Sequence, residues 1–247
     1  MTVIYSNKEK PTQPRQVLDF YPTPRGFCRA TLSKLVTEGM LPNPIRTVLD
    51  PGCGLGNWGK EFRDLFGWYW MGDNSSRDKI IDLDGVDIDL RMDKSYKKKD
   101  GYLDLYDHIV EEDYLTWNPT DEMYSGYDEY DLIIGNPPYK YAEQFVEKSH
   151  KLLSEKGILV FLLQLSFLES LKRYKKYYNG EELKPDCVWV STRRVDFFKG
   201  LGLKSSGNYV AMGVFIWSKK HENFYTDGMG NRVKAITELD WIDWDYD

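Results

Sequence analysis

Cysteine and histidine are scarce, three of each in 247 residues. Cys28, Cys53 and Cys187 stand far apart, with neither a C-x-x-C pairing nor histidine partners. Such spacing predicts no disulfide framework and no metal site, and it suits a reducing compartment. Long apolar runs are missing too, since none approaches the roughly eighteen residues of a membrane helix. The segment Met1–Lys10 lacks the basic-then-apolar pattern of a signal peptide, so the expectation is a cytoplasmic protein with no membrane span. Base is in shorter supply than acid: 33 Lys and Arg stand against 39 Asp and Glu, a formal net charge of −6. That balance argues against a dedicated nucleic-acid binder, because phosphate neutralisation needs cations. The bases are clustered, however, at Lys97-Lys98-Lys99, Lys172-Arg173-Tyr174-Lys175-Lys176, and Arg193-Arg194 with Lys199 and Lys204. A local basic face stays open beside the plainer reading of solvated surface. The last ten residues hold five acids and no base.

What is present suits one sizeable α/β domain with elaborations, not two full domains. A poorly ordered arm at 1–17 is expected ahead of a catalytic core at 18–217, with an acidic extension at 218–247. In the core, Thr47-Val48-Leu49-Asp50 reads as a short strand leading into Pro51-Gly52-Cys53-Gly54-Leu55-Gly56 and then a helix through about Phe66. Glycines there let the backbone turn tightly against a ligand, and the helix start offers free N–H groups. The G-x-G-x-G pattern is not the dinucleotide fingerprint, and no Gly-Lys-Ser/Thr follows to make a phosphate loop. Asp50 at the strand end would repel phosphate and suit an ammonium group. Together with Gly52 and Gly54 it suits S-adenosylmethionine, whose methionine end carries an amine and whose nucleoside carries no phosphate.

Leu83–Asp89 is a second strand, and Asp87 is placed to take both hydroxyls of a ribose, although a strand with one polar face would look similar. The separation from the glycines exceeds the usual twenty or so residues, which an insertion at 67–80 explains. His108–Leu115 reads as a third strand in which Asp113 accepts from an adenine amine and Tyr114 or Leu115 covers the ring. A fourth, Tyr130–Gly135, runs into Asn136-Pro137-Pro138-Tyr139. Two prolines fix φ and remove two donors, which leaves a stiff loop rich in acceptors. Asn136 Oδ1 and the Pro137 carbonyl could both accept from one amino group, while Tyr139 stacks on the ring that carries it.

A helix at about Tyr141–Leu153 and a continuous apolar strand, Gly157–Leu163, follow. Strand and helix alternate at least four times, which predicts a doubly wound, mostly parallel α/β sheet with its ligands at the carboxyl ends of the strands. The glycine turn, Asp87, Asp113 and Asn136 all fall on that one edge. Beyond it a basic, aromatic helix is expected at Phe167–Tyr178. Cys187–Ser191 and Tyr209–Trp217 should close the sheet as an antiparallel hairpin at its edge. Their connection, Arg193 to Gly207, is a basic loop with exposed aromatics, suited to nucleic acid or to a plain hairpin link.

These motifs carry a family resemblance over about residues 18–217. Tyr-Pro-Thr-Pro at 21–24, Asp-Pro-Gly-Cys-Gly-Leu-Gly at 50–56, Val-Asp-Ile-Asp at 86–89, Asp-Tyr at 113–114 and Asn-Pro-Pro-Tyr at 136–139 resemble the ordered motifs of S-adenosylmethionine-dependent adenine-N6 DNA methyltransferases. The resemblance implies a Rossmann-like class I methyltransferase. Tyr21 and Thr23 would contact the methionine and ribose end of the cofactor, and Phe197, or else Phe198, would sandwich a flipped base against Tyr139. It implies double-stranded DNA as partner. Asn-Pro-Pro-Tyr is shared with enzymes that methylate RNA bases or a release-factor glutamine, and a non-catalytic subunit on the same scaffold is the reading from another class. The DNA enzymes usually carry a large target-recognition domain. Here 165–207 and the tail are what is available, so sequence recognition is expected to be short, relaxed or supplied by a protein partner.

Overall fold

The computed structural model describes residues 21–67, 81–89, 105–120, 127–178, 183–197, 210–219, 224–226, 232–234 and 237–245. The expected arm at 1–17, most of the insertion at 67–80, the Lys97–Lys99 run, Phe198, Lys199 and Lys204 lie outside the described residues.

Helix α1 (Arg25–Thr37) begins directly after Pro24, where a missing N–H does no harm, and buries Phe27, Cys28, Leu32 and Leu35 along one stripe. Val36, near its end, is exposed. Strand β1 (Thr47–Pro51) is buried throughout and leads through the glycines into α2 (Asn57–Phe66). The chain continues through β2 (Asp82–Asp87), β3 (His108–Glu111), β4 (Tyr130–Gly135), α3 (Ala142–Lys151) and β5 (Leu153–Gln164). It ends with β6 (Cys187–Ser191), β7 (Met212–Ser218), a small ribbon of β8 (Phe224–Thr226) and β9 (Arg232–Lys234), and β10 (Glu238–Ile242).

Eight strands make one sheet in the order β10-β6-β7-β5-β4-β1-β2-β3. The five from β3 to β5 run parallel, and β7 lies antiparallel between β5 and β6. The order reverses between β1 and β4, so the topological switch point, where ligands bind in such sheets, lies between the glycine turn and Asn136. Gly135 permits that approach: a Cβ there would stand 3.2 Å from the Pro51 carbonyl and 3.3 Å from Asp50 Oδ1. Apolar residues of α1 and α2, among them Phe27, Leu32, Trp58 and Phe62, pack on one face of the sheet. Phe145 and Val146 of α3 pack on the other with Phe161, Phe167 and Trp217. All three cysteines are free and buried. Among the described residues no helix is long and apolar enough to cross a membrane.

The parallel, mostly doubly wound sheet is as expected, but helix and strand alternate less regularly. No helix is described between β2 and β3 or between β3 and β4. The third strand stops at Glu111, because Asp113 folds the chain into a turn: its carboxylate accepts from the Leu115 N–H and its carbonyl from the N–H groups of Thr116 and Trp117. The helix expected at Phe167–Tyr178 is broken into a 3-10 turn at Leu165–Leu168 and a short helical stretch from Leu171 to Tyr178. Glu169 is extended, and Ser170, at φ 107°, accepts from the Arg173 N–H through its side chain. β6 and β7 do pair antiparallel, yet the edge belongs to β10. The acidic tail thus joins the sheet. Lys34 bridges Asp240 at 2.6 Å, Trp244 packs edge-on against Phe27, and Arg193 pairs with Asp243 and Asp245.

Candidate functional site

At the carboxyl end of β1, Gly52, Gly54 and Gly56 all adopt positive φ, at 74°, 52° and 71°. An L side chain would strain each of these positions, and the backbone N–H groups of Gly52 and Cys53 are turned onto the Val86 carbonyl of β2. The turn, the ends of β2 and β4 and the segment from Tyr21 to Thr23 enclose a cavity of about 520 Å³. That is the size of a site for a small organic ligand.

Asp87 stands on the cavity wall where the sequence places it. Its Oδ2 accepts from the Gly54 N–H at 2.8 Å and its Oδ1 from the Asp89 N–H at 2.9 Å, so the carboxylate is oriented while lone pairs remain for a diol. Asp113, Tyr114 and Leu115 line the cavity as well. The Tyr114 hydroxyl shares a hydrogen bond with Ser149 Oγ at 2.8 Å, and burial holds its pKa well above the usual phenol range. Lys148 fixes this wall from behind, donating to the carbonyls of Tyr114 and Trp117.

Asp50 is placed differently from the expectation. It is fully buried beneath the turn, is not on the cavity wall, and accepts at Oδ2 from the Tyr106 hydroxyl at 2.6 Å. Burial pushes its pKa up to about 7; the Tyr106 hydrogen bond and the Gly59 N–H oppose the rise, and the Asp87 charge adds to it. A carboxyl so placed supports the turn and does not face an ammonium group in the cavity.

Asn136 also lines the cavity, at the end of β4. Its Nδ2 donates to the Tyr21 carbonyl at 2.8 Å, and its Oδ1 is buried with no hydrogen-bond partner. The Pro138 carbonyl is taken by the Tyr141 N–H at 2.9 Å as the loop tightens into a 3-10 turn; Pro137 is buried and is not on the cavity wall. Beyond Asn136 three rings meet. Tyr21 lies nearly parallel to Tyr139 with centroids 5.7 Å apart, and Phe197 is 5.6 Å from Tyr21 and 6.5 Å from Tyr139. Tyr21, expected with the cofactor, therefore also belongs to this aromatic cluster. Thr23 lines the cavity, tied by its carbonyl to Asn57 Nδ2 at 2.8 Å.

Sequence reasoning missed Asn57, Trp58, Lys140 and Phe145 on the cavity wall. Asn57 and Trp58 open the helix after the glycine turn, which is the one local signal that could have marked them. The basic residues near Tyr139 are paired within the chain: Lys172 and Arg173 with Glu143, and Lys176 with Glu147.

No protein-family model matches the chain, and no curated protein matches its sequence. Solved structures do. A candidate class I S-adenosylmethionine-dependent methyltransferase from Listeria monocytogenes superposes with a TM-score of 0.56 at 15% identity, over 94% of this chain and 68% of that one. The modification subunit of a candidate type I restriction enzyme from Vibrio vulnificus YJ016 gives 0.56 at 17%, over 88% of this chain and 49% of the subunit. DrdV in its complex with DNA gives 0.54 at 16%, over 82% of this chain and 27% of that one. The chain thus spans about half the length of the restriction subunit. The fold is the Rossmann-like class I methyltransferase fold, a mostly parallel sheet flanked by helices with strands added at its C-terminal end.

Proposed function

We propose that this chain transfers a methyl group from S-adenosylmethionine to the exocyclic N6 amine of adenine in DNA, with the base flipped out of the duplex. The observation that carries the reading is the Asn136 side chain. Tyr21 holds its nitrogen, and its oxygen is left as an unpartnered acceptor between a ligand-sized cavity and a cluster of aromatic rings. An amide so fixed is built to receive an N–H.

The residues fit the cofactor. Asp87 presents an oriented carboxylate to a diol, Asp113 is an acceptor near the wall formed by Tyr114 and Leu115, and the positive-φ glycines clear space above β1. Bound there, S-adenosylmethionine supplies an electrophilic methyl group on sulfur. The chain supplies the nucleophile's geometry. An aromatic amine delocalises its lone pair into the ring; Asn136 Oδ1 and the Pro137 carbonyl, each accepting one N–H, favour a tetrahedral nitrogen whose lone pair is free. The methylated nitrogen is acidic enough to lose its proton to water, so positioning is the protein's main contribution. Extruding the base costs a few kcal/mol, which stacking on Tyr139 and Phe197 offsets.

DNA as the substrate rests on the Tyr21-to-Pro24 resemblance and on the likeness to a modification subunit and to a DNA complex. The exposed Lys172, which with Tyr139 and Arg173 lines a second, smaller pocket, suits phosphate, because a surface ion pair is weak enough to exchange partners. A protein partner would supplement sequence recognition. The test is base-resolution methylation of genomic DNA from cells expressing the chain, with Asn136→Ala as control. N6-methyladenine at one short sequence, absent in the variant, is the expected result. Labelled methyl transfer to RNA or protein and none to DNA would overturn it.

A further inference from the structure

The smaller pocket, of about 170 Å³, has Tyr139 on its wall together with Lys140, Glu143, Lys172 and Arg173. Three cations there surround one carboxylate. Glu143, in the first turn of α3, gives one oxygen to each of two partners: Oε1 accepts from Arg173 Nη1 at 3.3 Å and Oε2 from Lys172 Nζ at 3.2 Å. A phosphodiester carries the same single charge on two free oxygens, so the Glu143 carboxylate engages these cations as a phosphodiester would.

Arg173 is held in place from the protein side. Its Nε donates to the Glu169 carbonyl at 2.9 Å, its Nη2 donates to the Ser166 carbonyl at 2.8 Å, and its guanidinium lies over the Phe167 ring at 5.3 Å. Two of its three nitrogens are thereby fixed, and the third carries the Glu143 contact. The backbone that aims this fork is strained: Ser170 adopts φ 107° and accepts from the Arg173 N–H at 3.2 Å through its side chain. Lys172 differs, with a side chain 77% exposed, so its half of the pair exchanges easily.

A nucleotide whose base stacks on Tyr139 carries its phosphodiesters one sugar away, and the pocket shares that ring. Resting on the DNA reading above, we propose that Arg173 and Lys172 seat a phosphodiester next to the flipped adenine, and that Glu143 holds the two cations as an internal stand-in which DNA displaces. Glu143 is then an autoinhibitory contact that lowers affinity for DNA, and Arg173 is a binding residue for the strand.

The experiment is equilibrium binding of a short adenine-containing DNA duplex, with S-adenosylhomocysteine present, to the full chain, Glu143→Gln, Arg173→Gln and the double variant. Glu143→Gln should bind the duplex about fivefold more tightly at low salt, the release of exposed ion pairs. Arg173→Gln should bind more weakly and lower the slope of log affinity against log salt by about one. In the double variant the gain from Glu143→Gln should vanish. Lys172→Gln, at an exposed position, replaces Arg173→Gln in the cycle if that variant fails to fold, and the gain should then shrink. A Glu143→Gln protein that binds DNA no better than the intact chain overturns the proposal, and so does a gain that persists undiminished in the double variant, which would make Glu143 a plain repelling charge. Both outcomes leave the DNA reading standing. Failure of the intact chain and of Glu143→Gln to bind the duplex at low salt overturns both.

Discussion

The cavity beside the glycine turn is open and its walls are set by backbone, whereas the aromatic cluster beyond Asn136 is closed on itself. On the first side, three positive-φ glycines fix the turn and two N–H groups fix Asp87. On the second, Tyr21, Tyr139 and Phe197 lie with centroids 5.6 to 6.5 Å apart, and Phe197 is tilted 53° from Tyr139. A ring stacked on both faces needs roughly 7 Å between its flanks, twice the carbon–carbon contact distance. On the proposed function, the donor half is thus ready for its ligand, and the acceptor half has to part to admit one. The reason lies in what builds each: neighbouring strand ends of one sheet, against side chains from three separate segments.

Asn136 stands on the boundary and gives the sharpest test of that division. Asn136→Ala should lower kcat on the order of 10³-fold by removing an aligned acceptor, while S-adenosylhomocysteine affinity stays within about threefold. A parallel collapse of affinity would mean the halves are one unit. Tyr139→Ala should raise KM for the nucleic acid about 10–100-fold, the size of one lost base stack, and Tyr139→Phe should change it less than about twofold. Equal effects would remove stacking from the account. Asp87→Ala breaks the other side: S-adenosylhomocysteine should bind about tenfold more weakly, with kcat at saturating cofactor largely kept.

The smallest kinetic effect is expected beneath both halves. Asp50 has its folded pKa raised to about 7, above its unfolded value near 4. The folded chain therefore holds a proton there that the unfolded chain has released. The contribution of this carboxyl to stability is greatest at or below about pH 4 and declines as pH rises to about 7, by roughly 1.4 kcal/mol per unit. Asp50→Asn keeps an acceptor for Tyr106 and should remove that slope, so melting temperatures of the two proteins should diverge in the variant's favour from pH 5 to pH 8. A constant difference would show that Asp50 does not titrate in that range.

Much of the donor half was legible because its signals are local. Glycines after a β-branched strand and an acid at the end of the next strand each sit within a few residues. Asp50 turns away from the cavity wall because its side-chain direction depends on Tyr106, 56 residues away, which residue type cannot reveal. Tyr21 lines the cavity as expected, and its second place, among ring partners from the loop after β4 and from the connection after β6, could not be read locally. The tail was legible only as an acidic extension: Ile242 and Trp244 are buried and Leu239 and Trp241 exposed, an alternation too short to announce a strand. The connection from Arg193 was read as suited to nucleic acid or to a plain hairpin link; Asp243 and Asp245 flank Arg193 itself.

The insertion of β7 between β5 and β6 sets an order on synthesis as well as on space. Among the described residues β6 pairs with β7 and β10, both of which lie after it in the chain. A ribosome therefore releases Cys187–Ser191, with Trp189 destined for full burial, before any strand exists to receive it. At about 5–20 residues per second that exposed apolar edge persists for seconds, a window in which a chaperone competes with aggregation.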